Sequence, residues 1–589
     1  MNKLHIRNHA MITFVISQAI LGMALITWPW PTLPGTGLNL TRNLLTWTWC
    51  SVLCLCLVFT TWHRPFRAVS VSRWIIAGAL LMSLPLAWTA HDFTALAAYR
   101  LAGIWALAGL LLLLLQFPVR GAMRRAIYAV IIVAGVVQTL LALIQILAPN
   151  LAAAWLHYDF IAAEGRPLGT LNQVNLLASF IATALLCSVW LSMTIHGRAH
   201  ALLMFATIIL AAGLTITQAR AIYLGAVVGL GVLLMFGSTR KNDRKFIVLV
   251  LAAGVAIGQI GLELRPVSLT TSTTTAQTAD ARPTEINARL DWNKQHSNNE
   301  RLTLLKGAWG MIETSPLLGS GLETFETAFP KTLASMGIDN PFTVTVIHPH
   351  NELLYAWAEG GVVALAGLLI WLGIWVQPFR SLITARKRSN VIARGALTIP
   401  LMAHVMSEFP LYFSAIHAIT LIILLGLALP ASLRKGSRSN KQIGRSLFYS
   451  ATALASLLAF GFMVTGLQSS ARLREAESFS LMDQTPLTKI LNPYAQPERL
   501  KFDWAVSDLM QFNLTHNMDW LVLSQQQARR WLTNHNDDNL TASMMKIAAY
   551  KNDTEQVRYW RQRGCLSFRM DPRFSCESLN SKQSGGIRE

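Results

Sequence analysis

Residues 101–118 read LAGIWALAGLLLLLLQFP, and this run decides the fold class of the chain. It contains no charged residue, and its length is close to the roughly 20 apolar residues that cross the hydrocarbon core of a bilayer as an α-helix. A helix satisfies its backbone hydrogen bonds internally, which a segment surrounded by lipid must do. The run therefore predicts a membrane-spanning helix.

Comparable apolar runs recur along the first three quarters of the chain. Its 589 residues are 53% hydrophobic and 14% charged, whereas a soluble protein carries about 25% charged residues. We therefore predict an all-α polytopic membrane protein with about thirteen transmembrane helices. The candidate spans are 11–29, 44–62, 74–90, 101–118, 126–148, 176–195, 201–217, 221–236, 246–262, 353–375, 391–406, 416–430 and 448–467.

The first apolar run, from Met11 to Trp30, follows Lys3 and Arg7 and has two interpretations. A basic start followed by an apolar run is typical of a signal peptide. This run is long, lacks a clear small-residue cleavage site and precedes many further spans. We therefore expect it to be retained as the first helix.

The basic residues, which give the chain a formal net charge of +20, follow the expected membrane topology. With the N-terminus in the cytoplasm, most Lys and Arg residues fall in the inner segments, as the positive-inside rule requires. The short outer loops hold four basic residues, Arg42, Arg100, Arg166 and Arg220. This distribution places the C-terminus outside and argues against a nucleic-acid partner.

Two large polar parts of the chain are then expected on the outer side. Residues 1–262 hold the first nine spans, and residues 263–352 form an outer loop. Residues 353–467 hold the last four spans, and residues 468–589 form a C-terminal tail. The tail contains helical patterns such as DWLVLSQQQARRWLTNH without a fixed repeat period, so we predict a helical domain.

The outer loop and the tail each carry one further signal. After the low-complexity stretch SLTTSTTTAQT, the loop places Leu302, Leu305, Trp309 and Ile312 at helical spacing, which predicts an amphipathic helix. In the tail, Cys565 and Cys576 can form a disulfide if this part lies outside the cytoplasm.

Polar residues that the topology does not explain gather in four stretches, all expected on the outer face. In AAEGRPLGTLNQVNLLAS, residues 162–179, Arg166, Gln173 and Asn175 lie at the mouth of a helix. The alternative is a capped helix start with Asn175 as the N-cap. In TQARAIYLG, Arg220 can bind a phosphate through its guanidinium or anchor the helix at the lipid headgroups.

The third stretch is HPHNELLYAWAEGG, residues 348–361. Pro349 is favourable in the first turn of a helix, so we expect a helix to begin between His348 and Asn351. The free N–H groups and partial positive charge of that helix start suit a pyrophosphate and favour a neutral imidazole at His350 that can act as a general base. The alternative is a set of interfacial caps.

Three more polar residues of these stretches are singled out by their setting. Glu359 lies inside an apolar segment, where a carboxylate is rare and tends to be functional. The fourth stretch, SEFPLYFSAIH, places Glu408 and Tyr412 around Pro410; its alternative is an interfacial turn with an aromatic-belt residue. No metal is predicted, because two histidines separated by proline without a nearby cysteine or carboxylate pair are a weak ligand pattern.

Three stretches of the chain, two of them among these polar stretches and one in the outer loop, resemble motifs of a known family in this order. GRPLGTLNQVNLLAS, RLTLLKGAWGMIETSPLLGSGLETF and HPHNELLYAWAEGG are similar to motifs of the bacterial O-antigen ligase and polymerase superfamily, and within it of the protein O-oligosaccharyltransferases. The resemblance covers most of residues 100 to 430. One position departs from the ligase form of the third motif, in which Gly, Thr or Tyr lies where this chain has Ala364.

The resemblance implies an activity and roles for particular residues. It implies an inner-membrane enzyme that transfers a glycan from undecaprenyl pyrophosphate to serine or threonine of pilins or other exported proteins, with inversion and without a cofactor. It implies that His350 is the catalytic residue, with Arg220 at the pyrophosphate. Further donor-binding or site-lining residues are then Arg166, Gln173, Asn175, Arg301, His348, Asn351, Glu359, Glu408 and Tyr412.

Two alternatives to protein glycosylation stay open at this point. The same chemistry on another acceptor would make the chain a ligase for lipid A core or a polymerase of O-antigen. A transporter of lipid-linked sugars is the rival of another class, but transporters place ionisable groups near the membrane midplane. Here the spans are nearly free of acidic residues, with Glu359 as the main exception, and the polar stretches gather at one face.

Overall fold

A computed structural model describes most of the chain. The described residues are 36–63, 67–117, 119, 121–237, 241–264, 295–382, 389–434, 436–438 and 442–576, together with scattered positions between 17 and 28. The predicted first span at 11–29 and the low-complexity stretch of the outer loop lie largely or wholly outside these residues. The predicted retention of the first helix therefore stays a prediction.

The described chain is helical throughout, apart from one short pair of strands. Strand β1, Arg67–Val69, pairs antiparallel with β2, Gly436–Arg438. The helices are α1 (Thr41–Thr61), α2 (Ser72–Ser83), α3 (His91–Gln116), α4 (Gly121–Leu147), α5 (Pro149–Leu156), α6 (Val174–Ser192), α7 (Arg198–Thr217), α8 (Arg220–Phe236), α9 (Lys241–Glu263), α10 (Gln295–Thr314), α11 (Phe325–Ser335), α12 (Glu352–Val376), α13 (Ser389–Ala396), α14 (Ile399–Ser407), α15 (Pro410–Phe413), α16 (Ala415–Ala428), α17 (Ala431–Arg434), α18 (Gln442–Ser478), α19 (Thr485–Thr488), α20 (Pro497–Thr515), α21 (Met518–Asn534), α22 (Asp538–Tyr550) and α23 (Thr554–Ser567). Short 3-10 helices lie at Gly37–Asn39, Leu84–Ala87, Gln377–Leu382 and Pro572–Phe574.

The predicted fold class is confirmed. Within the described part of the chain, eight helices are long and apolar enough to cross a membrane, namely α1, α3, α4, α6, α7, α9, α12 and α18. Three shorter apolar helices cover Ser72–Ala87, Arg220–Phe236 and Ala415–Ala428. The protein is therefore an all-α, multi-pass membrane protein.

Two predicted spans differ in the structure. The span predicted at 391–406 is two helices, α13 and α14, because Pro400 has no N–H to continue the helical ladder past Ala396. The span predicted at 101–118 begins ten residues earlier, at His91. Arg100, which the sequence placed in an outer loop, therefore lies within a helix.

The chain divides into two compact units. The first contains Met1–Val71, Gly109–Asn293 and Trp375–Phe460, and the second contains Ser72–Ala108, Lys294–Ile374 and Gly461–Glu589. In the first unit, α6 is buried at every residue except Asn175. Small residues bring its neighbours close, since a Cβ at Gly135 would overlap Ala184 and a Cβ at Gly213 would overlap Thr139.

The second unit holds the outer-loop helices α10 and α11 and the tail. The helix predicted in the outer loop is confirmed, but three of the residues assigned to its apolar stripe, Leu302, Leu305 and Trp309, are exposed. Its buried side chains include Leu304, Ala308, Met311 and Ile312. Apolar residues lie on both sides of this helix, so helical spacing alone could not identify the buried side.

The tail is helical, as predicted. Helices α20 to α23 form a core around Leu532, Met544 and Trp560. A disulfide joins Cys565, in the last turn of α23, to Cys576, which lies beyond this helix. The tail thus has a folded core of its own and a covalent link close to its described end.

Candidate active site

The site in the second unit is built at the start of α12. Asn351 caps this helix, because its Oδ1 accepts hydrogen bonds from the N–H groups of Leu353 and Leu354, each at 3.1 Å. The helix begins at Glu352, so Pro349 lies before the cap and not in the first helical turn as predicted. The capping interpretation thus holds for Asn351 and leaves His350 outside the helix.

His350 has a left-handed backbone conformation, with φ of 57°. This conformation is uncommon for residues other than glycine. It costs free energy and persists only where the surrounding structure holds it. The backbone N–H of His350 donates to Nδ1 of His348 at 2.9 Å. The backbone of the half-buried His350 is therefore held in this conformation by a hydrogen bond to a neighbouring side chain.

His348 is buried and orders the residues around it. Because its Nδ1 accepts the N–H of His350, its Nε2 carries the hydrogen and lies 3.3 Å from Oε2 of Glu352. Burial lowers the pKa of His348, although Glu352 partly opposes this effect. The ring packs 4.4 Å from the ring of Tyr355. His348 thus contacts His350, Glu352 and Tyr355, and its predicted supporting role in the reaction stays a prediction.

Beneath Tyr355 lies a buried charge pair. The guanidinium of Arg100 lies 4.2 Å from the centre of the Tyr355 ring, and it donates a hydrogen bond to Oε2 of Glu359. The other oxygen of Glu359 accepts the N–H of Phe325 at 2.9 Å. Glu359 is fully buried, so its carboxylate supports the structure around the histidines and has no exposed edge for a ligand.

A second carboxylate approaches the same arginine. Oε1 of Glu323 lies 3.5 Å from Arg100. Burial, together with the charge of Glu359, raises the pKa of Glu323 to about 7, against the opposing effect of Arg100. We refer to Arg100, Glu323 and Glu359 as the buried charge cluster.

The loop before α11, residues 315–324, packs against a break in α12 and forms backbone hydrogen bonds with it. Gly361 has φ of 63° and ψ of −165°, which interrupts the helix. Across this break, the N–H of Gly321 donates to the carbonyl of Glu359 at 2.9 Å, and the N–H of Val362 donates to the carbonyl of Pro316 at 3.1 Å. A Cβ at Gly361 would overlap the carbonyl of Leu317. The glycine at this spacing from His350 is therefore required by a close backbone approach.

Arg301 differs from the other predicted residues of the second unit. It is exposed in the second turn of α10. His348, His350, Asn351 and Glu359 are connected through the contacts above, and none of those contacts involves Arg301. Its predicted role in donor binding stays a prediction.

In the first unit, three donors converge on the carboxylate of Glu408. Nε2 of Gln173 donates to Oε2 of Glu408 at 2.9 Å, and Nδ2 of Asn175 donates to Oε1. His404 approaches Oε2 through its Nε2 at 3.1 Å. Asn175 is therefore a partner of Glu408 and not the N-cap of α6, a position that Gln173 occupies.

The remaining predicted residues of the first unit lie near this carboxylate or beside its helix. Arg166 interacts electrostatically with Glu408 and with Arg220, and burial lowers its pKa. Arg220 is the first residue of α8 and is half-buried. Tyr412 is half-buried on α15, shortly after Glu408. The two arginines supply positive charge close to a carboxylate and two amides.

Several supporting residues were missed by the sequence interpretation. Arg100 was counted as a topology signal, and His404 lay inside a predicted span. Spacing could have identified the pair His404–Glu408, since residues four apart come together on a helix. It could not have identified His348–Glu352 in this way, because His348 lies before the start of α12. Tyr355 carried no such signal because an aromatic residue in an apolar run is ordinary.

Comparison with known proteins adds two family matches. Residues 205–369 match the model described as O-antigen ligase. Residues 393–546 match the model described as the C-terminal part of a virulence factor membrane-bound polymerase. No curated protein sequence is significantly similar to the chain. Each match covers less than a third of the chain, and the two matched stretches together show similarity to membrane-bound ligases and polymerases of the O-antigen kind.

Proposed function

We propose that the protein is a glycosyltransferase of the bacterial inner membrane. It transfers a glycan from undecaprenyl pyrophosphate to serine or threonine hydroxyls of exported proteins such as pilin, on the periplasmic side. The observation that carries this proposal is the held, left-handed conformation of His350 beside the buried His348. Strained residues that the surroundings hold in place cluster at functional sites.

The proposed reaction is a single displacement at the anomeric carbon. His350 takes the proton of the acceptor hydroxyl, and the hydroxyl oxygen forms a bond to the anomeric carbon. The bond from that carbon to the pyrophosphate oxygen breaks, and its electron pair leaves with undecaprenyl pyrophosphate. Attack opposite the leaving group inverts the anomeric configuration. Proton removal by a positioned side chain contributes about 100- to 10,000-fold to such a step.

The two arginines of the first unit are proposed to bind the charged end of the donor. A guanidinium presents several N–H donors in a planar fork that fits phosphate oxygens. Arg220 and Arg166 would stabilise the charge that develops on the departing pyrophosphate. Since the pyrophosphate is already a good leaving group, the proposed step needs no metal.

The acceptor needs a binding surface in addition to the donor site. We propose that the outer-loop helices and the tail hold the acceptor protein. The names of the matching family models, an O-antigen ligase and a membrane-bound polymerase, favour a second candidate. In that candidate the same displacement occurs on lipid A core or on a growing O-antigen chain.

The test uses the full-length protein in bacterial membranes that also contain a donor pathway and a pilin. Intact-mass spectrometry of pilin and of periplasmic proteins reports protein glycosylation, and lipopolysaccharide analysis reports ligation and polymerisation. We expect glycosylated protein with the wild type and none with His350→Ala. The control is His157→Ala, which removes an exposed histidine with a similar left-handed backbone, φ of 51°; it should leave glycosylation unchanged.

Three results would reject the proposal. Product confined to lipid A core or O-antigen would establish the second candidate. Protein glycosylation that persists at the wild-type level in His350→Ala would remove His350 from the chemistry. Movement of lipid-linked glycan across vesicles without any transfer would identify a transporter.

A further inference from the structure

The amides of Gln173 and Asn175 are oriented by the carboxylate between them. A carboxylate only accepts hydrogen bonds, so the NH2 groups of both amides must face Glu408. The amide oxygens therefore point away from it. This orientation follows from hydrogen-bond chemistry alone, because the reverse orientation would place each amide oxygen against a carboxylate oxygen of Glu408.

Glu408 is itself held in place from a buried side. His404 is fully buried; its Nε2 lies 3.1 Å from Oε2 of Glu408, and its Nδ1 lies 2.8 Å from Oγ of Ser179. These contacts fix the carboxylate from below, while the amides bind it from the start of α6. The arrangement presents the oxygens of Gln173 and Asn175 in fixed directions.

One of these oxygens lacks a hydrogen bond. Oε1 of Gln173 is buried and has no donor among the residues that the structure describes. An unpaired buried acceptor is unfavourable until a donor reaches it. A sugar hydroxyl or an amide N–H could supply that donor, whereas phosphate oxygens would be repelled by the amide oxygen and by Glu408.

We infer that Gln173 and Asn175 bind hydrogen-bond donors of the glycan, with Glu408 and His404 as positioning residues, and that neither amide binds the pyrophosphate. The inference rests on the proposed function, because it assigns a substrate group to the donor site of that reaction. It separates two roles within the first unit: the amides recognise the sugar, and the guanidinium groups of Arg166 and Arg220 bind the phosphates.

The test compares two lipid probes on the full-length protein in detergent. One is undecaprenyl pyrophosphate without sugar, and the other carries an N-acetylglucosamine disaccharide. Affinities are measured by native mass spectrometry for the wild type, Gln173→Met, Arg220→Met and a control. The control, Gln116→Met, removes a buried amide that bonds the backbone of Arg67.

We expect Gln173→Met to weaken binding of the sugar-bearing probe about tenfold, as loss of one buried hydrogen-bond partner predicts, and to leave the bare probe within twofold of the wild type. Arg220→Met should weaken both probes alike, and Gln116→Met should leave the ratio of the two affinities unchanged. Equal weakening of both probes by Gln173→Met would overturn the inference, as would wild-type binding of both.

The positioning role has its own readout. In Glu408→Gln, one carboxylate oxygen is replaced by an NH2 group, which donates a hydrogen bond. The amide of Gln173 or Asn175 that faces this NH2 group must then turn its oxygen toward residue 408. The ratio of the two affinities should then fall toward that of Gln173→Met, whereas a merely structural role would weaken both probes together and lower the thermal unfolding midpoint. If the wild type binds neither probe, the proposed function fails with the inference. If it binds both and Gln173→Met does not change the ratio, the inference alone fails.

Discussion

Nδ1 of His348 accepts the backbone N–H of His350 at 2.9 Å, and this hydrogen bond holds the left-handed backbone of the proposed base. His348→Asn keeps an acceptor near the position of Nδ1, whereas His348→Leu removes it. We expect a loss of transfer rate of about tenfold or less in the first variant and of about 100-fold in the second, because small misplacements of catalytic groups are costly. Pilin glycosylation rates measure both. Equal rates in the two variants would contradict the role.

The pair of Arg100 and Glu359 should behave as one buried unit. Glu359→Met removes the fully buried carboxylate that pairs with the guanidinium, while Glu323 stays 3.5 Å from it, so we expect a loss of about 3 to 5 kcal/mol in unfolding free energy. The double variant Arg100→Met, Glu359→Met removes both charges and should lose less than the sum of the single variants. Thermal unfolding in detergent gives the comparison, and strict additivity of the two single variants would disprove the coupling.

Gly361→Ala should be harmful where Gly373→Ala, on the same helix, is not. A Cβ at Gly361 would overlap the Leu317 carbonyl, and the backbone there has a positive φ. We expect a loss of about 1 to 3 kcal/mol, with some loss of transfer activity because the loop shifts. Gly373→Ala is the matched control, since no atom lies within 4 Å of its added Cβ. Thermal unfolding midpoints of the two variants should therefore separate.

Raising the pH should loosen the tail at His535. Its Nδ1 lies 3.1 Å from Glu326 and its Nε2 lies 3.2 Å from Glu498, while Arg563 donates to its carbonyl. Burial alone would lower the pKa of His535, but the two carboxylates raise it to about 10.

The folded-state pKa of His535 is therefore above the unfolded value of about 6.5. The stability that the protonated imidazole contributes is fully present below pH 6.5 and is lost as the pH rises through 10. Hydrogen exchange of peptides over residues 531–540, corrected for the intrinsic rate, should show growing exposure across this range. His535→Gln should remove the pH dependence, and His516→Asn, at an exposed histidine of the tail, should retain it.

The sequence predicted the membrane architecture well because a bilayer imposes length and apolarity on each helix. It predicted the start of α12 within a few residues, since the asparagine cap and the proline limit where a helix can begin. It did not predict the broken helix at α13 and α14, because proline is tolerated inside many apolar segments and its local effect depends on neighbours.

The supporting residues of the site were less predictable than its polar motifs. Arg100 and Glu359 are 259 residues apart in the chain, and no local pattern connects them. Gln173 was singled out from the sequence, but the partner that orients its amide, Glu408, lies 235 residues away. Such pairings depend on helix packing, which periodicity within one helix does not report.

The hydrogen bonds across the break at Gly361 also bear on how the protein is assembled. A helix interrupted within an apolar segment leaves backbone groups without partners, which lipid does not tolerate. Here residues 316–321 supply them, because the N–H groups of Ser320 and Gly321 donate to α12 and the carbonyl of Pro316 accepts from it. The loop precedes α12 in the chain, so α12 can complete its backbone pairing only after this loop has taken its place. We therefore expect insertion of α12 and folding of the loop to be coupled during biogenesis.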